Sequence, residues 1–256
     1  MVKSRFKRLI LTFRIAGFGG FFLHVLSKFL PPARFRRQAT LLDFKKQGFK
    51  FADDVWQMLS TLGIDYTTDQ AIQIQAEFMV FSENPGREVS EESFPHNWNS
   101  GESLRLLLFA FVRLMKPESV IETGTANGYS TSAIAYALEL NGMGKVHTFD
   151  ILESKAQHVF PTSRSFVEIH RVSEDPKSLY ATARELPLDA KKGFYFHDAD
   201  HSYFGQYNDY ELARILGFKY YISDDVETSM VFCEKAARGS SSILFDGRKF
   251  IGATII

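Results

Sequence analysis

Between Val120 and Asp150 the chain reads as a strand, a glycine turn, a helix and a second strand, and this succession limits the fold more than any other feature. Ser119-Val120-Ile121-Glu122 is the first strand. Thr123-Gly124-Thr125-Ala126-Asn127-Gly128-Tyr129-Ser130 then turns into a helix that runs to Leu140, and Lys145 to Asp150 is the next strand. Gly124 and Gly128 give the backbone freedom to turn tightly and let a ligand lie close to it. Ser130 or Thr131 can help cap the helix. In an open parallel sheet, ligands bind at the carboxyl ends of the strands, where strand order reverses. The turn is therefore the candidate binding loop.

The alternation continues downstream. Phe166–Val172, Gly193–His197 and Lys219–Ser223 read as further strands, with helices over Gly205–Leu216 and from the last of these strands through Ala237. Ser242–Phe245 and Lys249–Ile255 flank Asp246-Gly247, a hairpin signal. The pattern predicts an α/β fold of Rossmann-like kind: a mostly parallel sheet, helices on both faces and an antiparallel last strand. Upstream, residues 41–82 read as helices, and 82–100, with Pro85, Gly86, Pro95, Asn97 and Asn99, as a loop. Leu104, Leu107, Leu108, Phe111, Val112 and Met115 recur at helical steps. The expected units are a basic, apolar N-terminal helical extension (1–40), a helical segment with a lid loop (41–99) and the α/β domain (100–256).

Composition excludes some partners. The 256 residues are 45% hydrophobic, enough for a full core, and formal net charge is zero, which leaves no basic footprint for nucleic acid. We read the 25 Phe mainly as core, with a greasy acceptor pocket as the alternative. The single cysteine, Cys233, rules out a disulfide within the chain and fits a reducing, cytoplasmic setting as a buried thiol. Met1 to Leu42 carries basic residues and no acid. Its apolar run, Ile15 to Leu26, is too short to span a bilayer. Residues 1–37 either pack as helices on the rest or attach peripherally to anionic lipid.

Side-chain chemistry narrows the ligand. A dinucleotide loop would be Gly-x-Gly-x-x-Gly, but Ala126 and Tyr129 stand at the second and third glycine positions. Glu122, just before the turn, repels a diphosphate and suits a cation. Asp150 can accept both hydroxyls of a ribose. The combination points to S-adenosylmethionine. Farther on, Asp198, His201, Asp224 and Asp225 gather at two neighbouring strand ends. Three carboxylates without a fixed positive partner would repel, and a divalent cation such as Mg2+ would remove that cost; the alternative is that Asp224 and Glu227 cap a helix while Asp198 faces the cofactor. His201 is either a general base or a turn-holding residue.

Val120 to Ser130, Phe149-Asp150 and Asp198-Ala199-Asp200-His201-Ser202-Tyr203 with Asp209 resemble the class I S-adenosylmethionine-dependent methyltransferases. The closest likeness is to the branch with an Asp-Gly-Asp-His-Ser-Tyr motif, related to cation-dependent O-methyltransferases. The resemblance implies a seven-stranded sheet and cofactor contacts at Glu122, Gly124, Thr125, Gly128, Ser130, Asp150 and Asp198. It implies a metal at Asp198, Asp224 and Asp225 and transfer to a hydroxyl of a small molecule or sugar, while the residues themselves make His201 and Asp198 the catalytic candidates and leave a glycan acceptor open. The sequence departs from the pattern at Ala199, in lacking a catechol-type lysine after the aspartate, and in its N-terminal segment. A nucleotide-sugar or dinucleotide enzyme, or a membrane-peripheral module with a vestigial site, are the other readings on this fold.

Overall fold

The structure is a computed structural model that describes residues 37–83, 93–236 and 239–256. The readings of residues 1–36 and of most of the lid loop, 84–92, lie outside the described residues. None of the described helices is long and apolar enough to cross a membrane.

Three helices open the described chain: the short α1 (Leu41–Lys46) and α2 (Val55–Thr61) and the longer α3 (Thr68–Ser82), with strand β1 (Lys50–Ala52) between the first two. α4 (Glu102–Met115) leads into β2 (Ser119–Thr123), α5 (Tyr129–Asn141), β3 (Lys145–Asp150) and β4 (Val167–Arg171). α6 (Pro176–Glu185), β5 (Gly193–His197), α7 (Tyr203–Leu216) and β6 (Tyr220–Ser223) follow. α8 (Val231–Lys235) precedes the closing hairpin of β7 (Ser241–Phe245) and β8 (Phe250–Ile255).

The eight strands form one sheet in the order β1-β7-β8-β6-β5-β2-β3-β4. Only β8 runs against its neighbours, pairing antiparallel with both β6 and β7. The Rossmann-like fold with an antiparallel last strand is thus observed, with one strand more than expected. The extra one is β1, which pairs parallel with β7 through Lys50↔Ser242 and Ala52↔Leu244. Three residues are too few to show a period of two, so the stretch read as helix. The segment 41–99 thereby contributes a strand to the same sheet as the α/β domain. α6 also escaped the sequence reading, although Asp175 caps it and Pro176 opens it. The helix expected after β6 is broken into a 3-10 turn at Val226–Thr228 and the short α8.

Alternation along the strands builds two layers of core. Val120, Val146, Phe194, Phe196 and Ile222 face α2, α3, α4 and α5. Ile121, Phe149, Tyr195, Tyr221 and Ile243 face α1, α6, α7 and α8. Aromatic rings fill the first layer: Phe81 lies 5.4–5.9 Å, centroid to centroid, from Phe78, Phe109, Tyr136 and Phe160. Many of the phenylalanines are therefore core.

The order reverses between β2 and β5, whose ends pair at Thr123↔His197. There the turn after β2 packs directly on the chain leaving β5. Asp198 N donates to Thr123 O at 2.9 Å. Gly124 has φ +92°, and a Cβ built there would stand 1.9 Å from the carbonyl oxygen of Asp198. Gly124 is thus required by a neighbouring backbone, quite apart from any ligand. Gly124→Ala should destabilise the fold by at least about 2 kcal/mol, combining left-handed strain with the collision; chemical denaturation will measure it. Cys233, 5% exposed, has its thiol pushed up to about 12 by burial. It should resist an aromatic disulfide reagent at pH 8 until denaturant is added, read by absorbance.

Candidate active site

The turn is held from beneath by Glu122. This carboxylate is fully buried at the end of β2, and each oxygen accepts one hydroxyl, from Ser130 and Thr131, both at 2.6 Å. Burial raises its pKa, and the two hydroxyl bonds work against that rise. The hydroxyls are therefore spent on Glu122. α5 starts from Gly128 at φ +84° with no side-chain cap. This corrects the capping expectation for Ser130 and Thr131. The acid is buried at a strand end next to a helix start, and its nearest hydroxyls are those of Ser130 and Thr131, so these two residues turn inward.

The other predicted cofactor residues take more varied places. Asp150 sits at the end of β3, where its Oδ2 accepts from Ala126 N and its Oδ1 from Leu152 N, both at 2.9 Å. Each oxygen keeps a further lone pair. Thr125 is buried, with its hydroxyl 2.8 Å from that of Thr148, so its side chain faces the core. Gly128 packs on the loop after β3: an added Cβ there would lie 2.8 Å from Ala156. Asn127, which the sequence reading passed over, clamps the segment before α4 to the turn. It accepts from Phe94 N and donates to Phe94 O and Asn99 Oδ1, each at 3.0 Å. An asparagine inside a glycine turn was the available signal.

At the ends of β5 and β6 the acids do gather, with a partner the sequence reading lacked. Lys249, nearly buried, donates from Nζ to Asp224 Oδ2 and lies 3.5 Å from Asp225 Oδ2. Asp224 is fully buried, and its Oδ1 has no partner. Its burial raises its pKa to about 6 despite Lys249. Asp198 is held well above the ordinary carboxylate range, first by burial and next by Asp224. Burial alone would lower the Lys249 ammonium, but Asp224 and Asp198 hold it above its usual value. Asp224 is therefore a lysine partner, and the capping alternative fails as well, because Glu227 instead accepts from Phe250 N at 3.1 Å.

His201 Nε2 lies 3.6 Å from Asp198 Oδ1 and 3.5 Å from Asp225 Oδ2, while its Nδ1 is buried without a partner. Burial, and then His197, lowers its imidazole to about 4. His197 has a structural place: its Nδ1 and the Thr123 hydroxyl both meet Asp209 Oδ2 at 2.6 Å, locking α7 to the centre of the sheet.

The divalent-cation expectation rested on three carboxylates with no fixed positive partner, and Lys249 is such a partner. Among the described residues, Asp198, Asp224 and Asp225 do not bring three ligand atoms within 4.8 Å of one another; His147, Glu168 and His170, on β3 and β4, do. The acid cluster as it stands does not fit a magnesium ion.

Beside the turn lies a cavity of about 980 Å³ lined by His96, Asn99, Arg105, Tyr129, Asp246 and Arg248, among others. Among the described residues no phenylalanine lines it, and its walls mix charged and polar groups with Leu106 and Tyr129. The Arg105 guanidinium stands 5.7 Å over the Tyr129 ring.

Residues 121–216, from β2 to the end of α7, match a family model described as a methyltransferase domain. No curated protein matches the sequence. Among solved structures, the chain is similar to an O-methyltransferase from Bacillus cereus in complex with SAH, with 19% identity, 78% of this chain and 96% of that chain covered, and a TM-score of 0.45. It is also similar to an O-methyltransferase from Streptomyces achromogenes involved in tomaymycin synthesis, in complex with SAM, with 18% identity, 79% and 95% covered, and a TM-score of 0.44. The family match covers the stretch that carries Glu122, Gly124, Gly128, Asp150 and Asp198, so residues 121–216 are similar to a methyltransferase domain.

Proposed function

We propose that the protein transfers the methyl group of S-adenosylmethionine to a hydroxyl oxygen of a small molecule or sugar. The observation that carries this reading is the convergence, at the point of strand reversal, of the turn over Glu122, of Asp150 and of the Asp198–His201 cluster. When bound, S-adenosylmethionine supplies an electrophilic methyl on a sulfonium. The chain's own residues then have separable tasks. The spare lone pairs of Asp150 accept the ribose hydroxyls. Glu122, out of contact with solvent, places a negative charge beneath the turn that favours a cationic ligand. Asp198, whose backbone lies against Gly124, adds a second carboxylate.

His201 serves as the base that takes the acceptor's proton. The ring is neutral at neutral pH, with a lone pair to offer, and its burial makes it a weak base that needs the charge of Asp198 and Asp225 beside it to hold a proton. The cavity beside Tyr129, with Asn99, Arg105, Asp246 and Arg248 in its walls, supports an acceptor that hydrogen-bonds, held in line with the methyl. Ala126 at φ +41° and the Tyr129 ring occupy the space that a dinucleotide loop reserves for glycine, which weighs against the nucleotide reading. The basic, apolar sequence of residues 1–37 supports peripheral contact with anionic lipid as well.

Calorimetric titration with S-adenosylhomocysteine tests the cofactor site. The full chain should bind it, and Asp150→Ala should weaken binding about 10- to 100-fold, the loss of two hydrogen bonds. Absence of binding by the wild type would end the methyl-transfer reading. A second expectation concerns acid. The folded-state pKa of His201 is depressed from 6.5 to about 4, so its contribution to stability is complete above pH 6.5 and is lost as pH falls through 4. His201→Asn should therefore flatten the decline in unfolding free energy across that window by on the order of 1–2 kcal/mol, measured by urea titration at stepped pH. For residues 1–37, flotation with phosphatidylserine vesicles should carry the full chain upward and leave a chain starting at Leu41 behind.

A further inference from the structure

We infer that Lys249 holds the place of the divalent cation: its ammonium is the resident positive charge of the acid cluster, which is built to operate without a metal ion. Three observations converge. First, Lys249 is only 9% exposed, and its Nζ is bonded to Asp224 and reaches Asp225, two of the three carboxylates that would ligate a metal. Magnesium demands oxygen ligands at about 2.0–2.1 Å in octahedral array. An ammonium already on Asp224 Oδ2 stands in that shell, and evicting it would leave a buried positive charge unpaired.

Second, the lysine is delivered by rigid backbone. Asp246 Oδ1 accepts from Lys249 N at 2.8 Å, and Asp246 N donates to Lys249 O at 3.1 Å. The next residue, Phe250, begins β8, which is locked beside β6 through Ser223↔Gly252 and tied to Glu227. β8 thus enters the sheet where β6 leaves it at Asp224, and Lys249 meets the acids because of strand register. Third, the three carboxylates do not converge on a common point, as ligands of one ion must.

One oxygen, Asp224 Oδ1, stays buried and unpartnered. With Lys249 on the other oxygen, the Asp224 carboxylate is already paired within the cluster and leaves the acceptor's proton to His201. Lys249 then does for an acceptor hydroxyl part of what a cation would do: it places a fixed positive charge beside the oxygen that loses its proton. This last role rests on the methyl-transfer reading; the assignment of the cation position does not.

The probe is Mn2+, with free ion counted by electron paramagnetic resonance against the full chain. Wild type should show no Mn2+ site that Asp224→Asn or Asp225→Asn removes. Lys249→Met should gain one such site, with affinity at least tenfold above wild type, and Lys249→Met with Asp225→Asn should lose it again. Wild-type S-adenosylhomocysteine affinity should be the same in EDTA and in Mg2+. A wild-type Mn2+ site that weakens tenfold or more in Asp224→Asn would overturn the inference. So would a Lys249→Met protein that keeps its circular dichroism and S-adenosylhomocysteine binding but gains no Mn2+ site. If Lys249→Met does not fold, the wild-type arm decides alone. Failure of the wild type to bind S-adenosylhomocysteine counts against the methyl donor and leaves the Mn2+ result standing.

Discussion

Glu122 lies at the end of the central strand with no surface in contact with water, and both of its oxygens must be satisfied by the chain itself. The first residues of α5 do this, and the need to bring Ser130 and Thr131 inward fixes how the turn runs. The turn can reach that position only if it lies flat against the chain leaving β5, which is possible because Gly124 has no side chain to strike the Asp198 carbonyl. A buried acid, two hydroxyls and one missing Cβ therefore bring the glycine turn and Asp198 together. Asn127 extends the same rigidity outward to Phe94 and Asn99.

The electrostatics of the site follow from this closeness. Asp198, Asp224 and Asp225 share the space with one ammonium and one neutral imidazole, so the cluster stays negative overall. Negative potential in a partly enclosed space attracts a cationic ligand and discourages a phosphate. Burial raises Asp198 and Asp224, while Lys249 keeps Asp224 from rising further. Each group is thus tuned by the desolvation that assembling the site imposes.

Much of this was legible beforehand. The strand–turn–helix–strand of residues 119–150 announces itself through glycine spacing and apolar runs, and the acids at strand ends follow from the alternation of strands and helices. Function lost to packing was harder to see. Thr125 and Ser130 look like ligand contacts and Thr131 like a helix cap in a linear reading, yet their hydroxyls face the core and Glu122. β1 is too short to declare a period. Lys249 stood in plain view one residue before a strand, but its meeting with Asp224 depends on which strand β8 lies beside, and no local pattern encodes that.

The position of β8 has a temporal consequence. It is the last strand in sequence and an inner one in space, inserted between β6 and β7. As the chain leaves the ribosome, β2 to β6 can pair in order, but the acids at the end of β6 have no ammonium until Phe250–Ile255 has emerged and slotted home. Until then Asp224 must stay hydrated or protonated, and β6 presents an open edge. Completion of the charge balance and closure of the sheet are one event, so a chain that has not finished folding cannot carry a finished site.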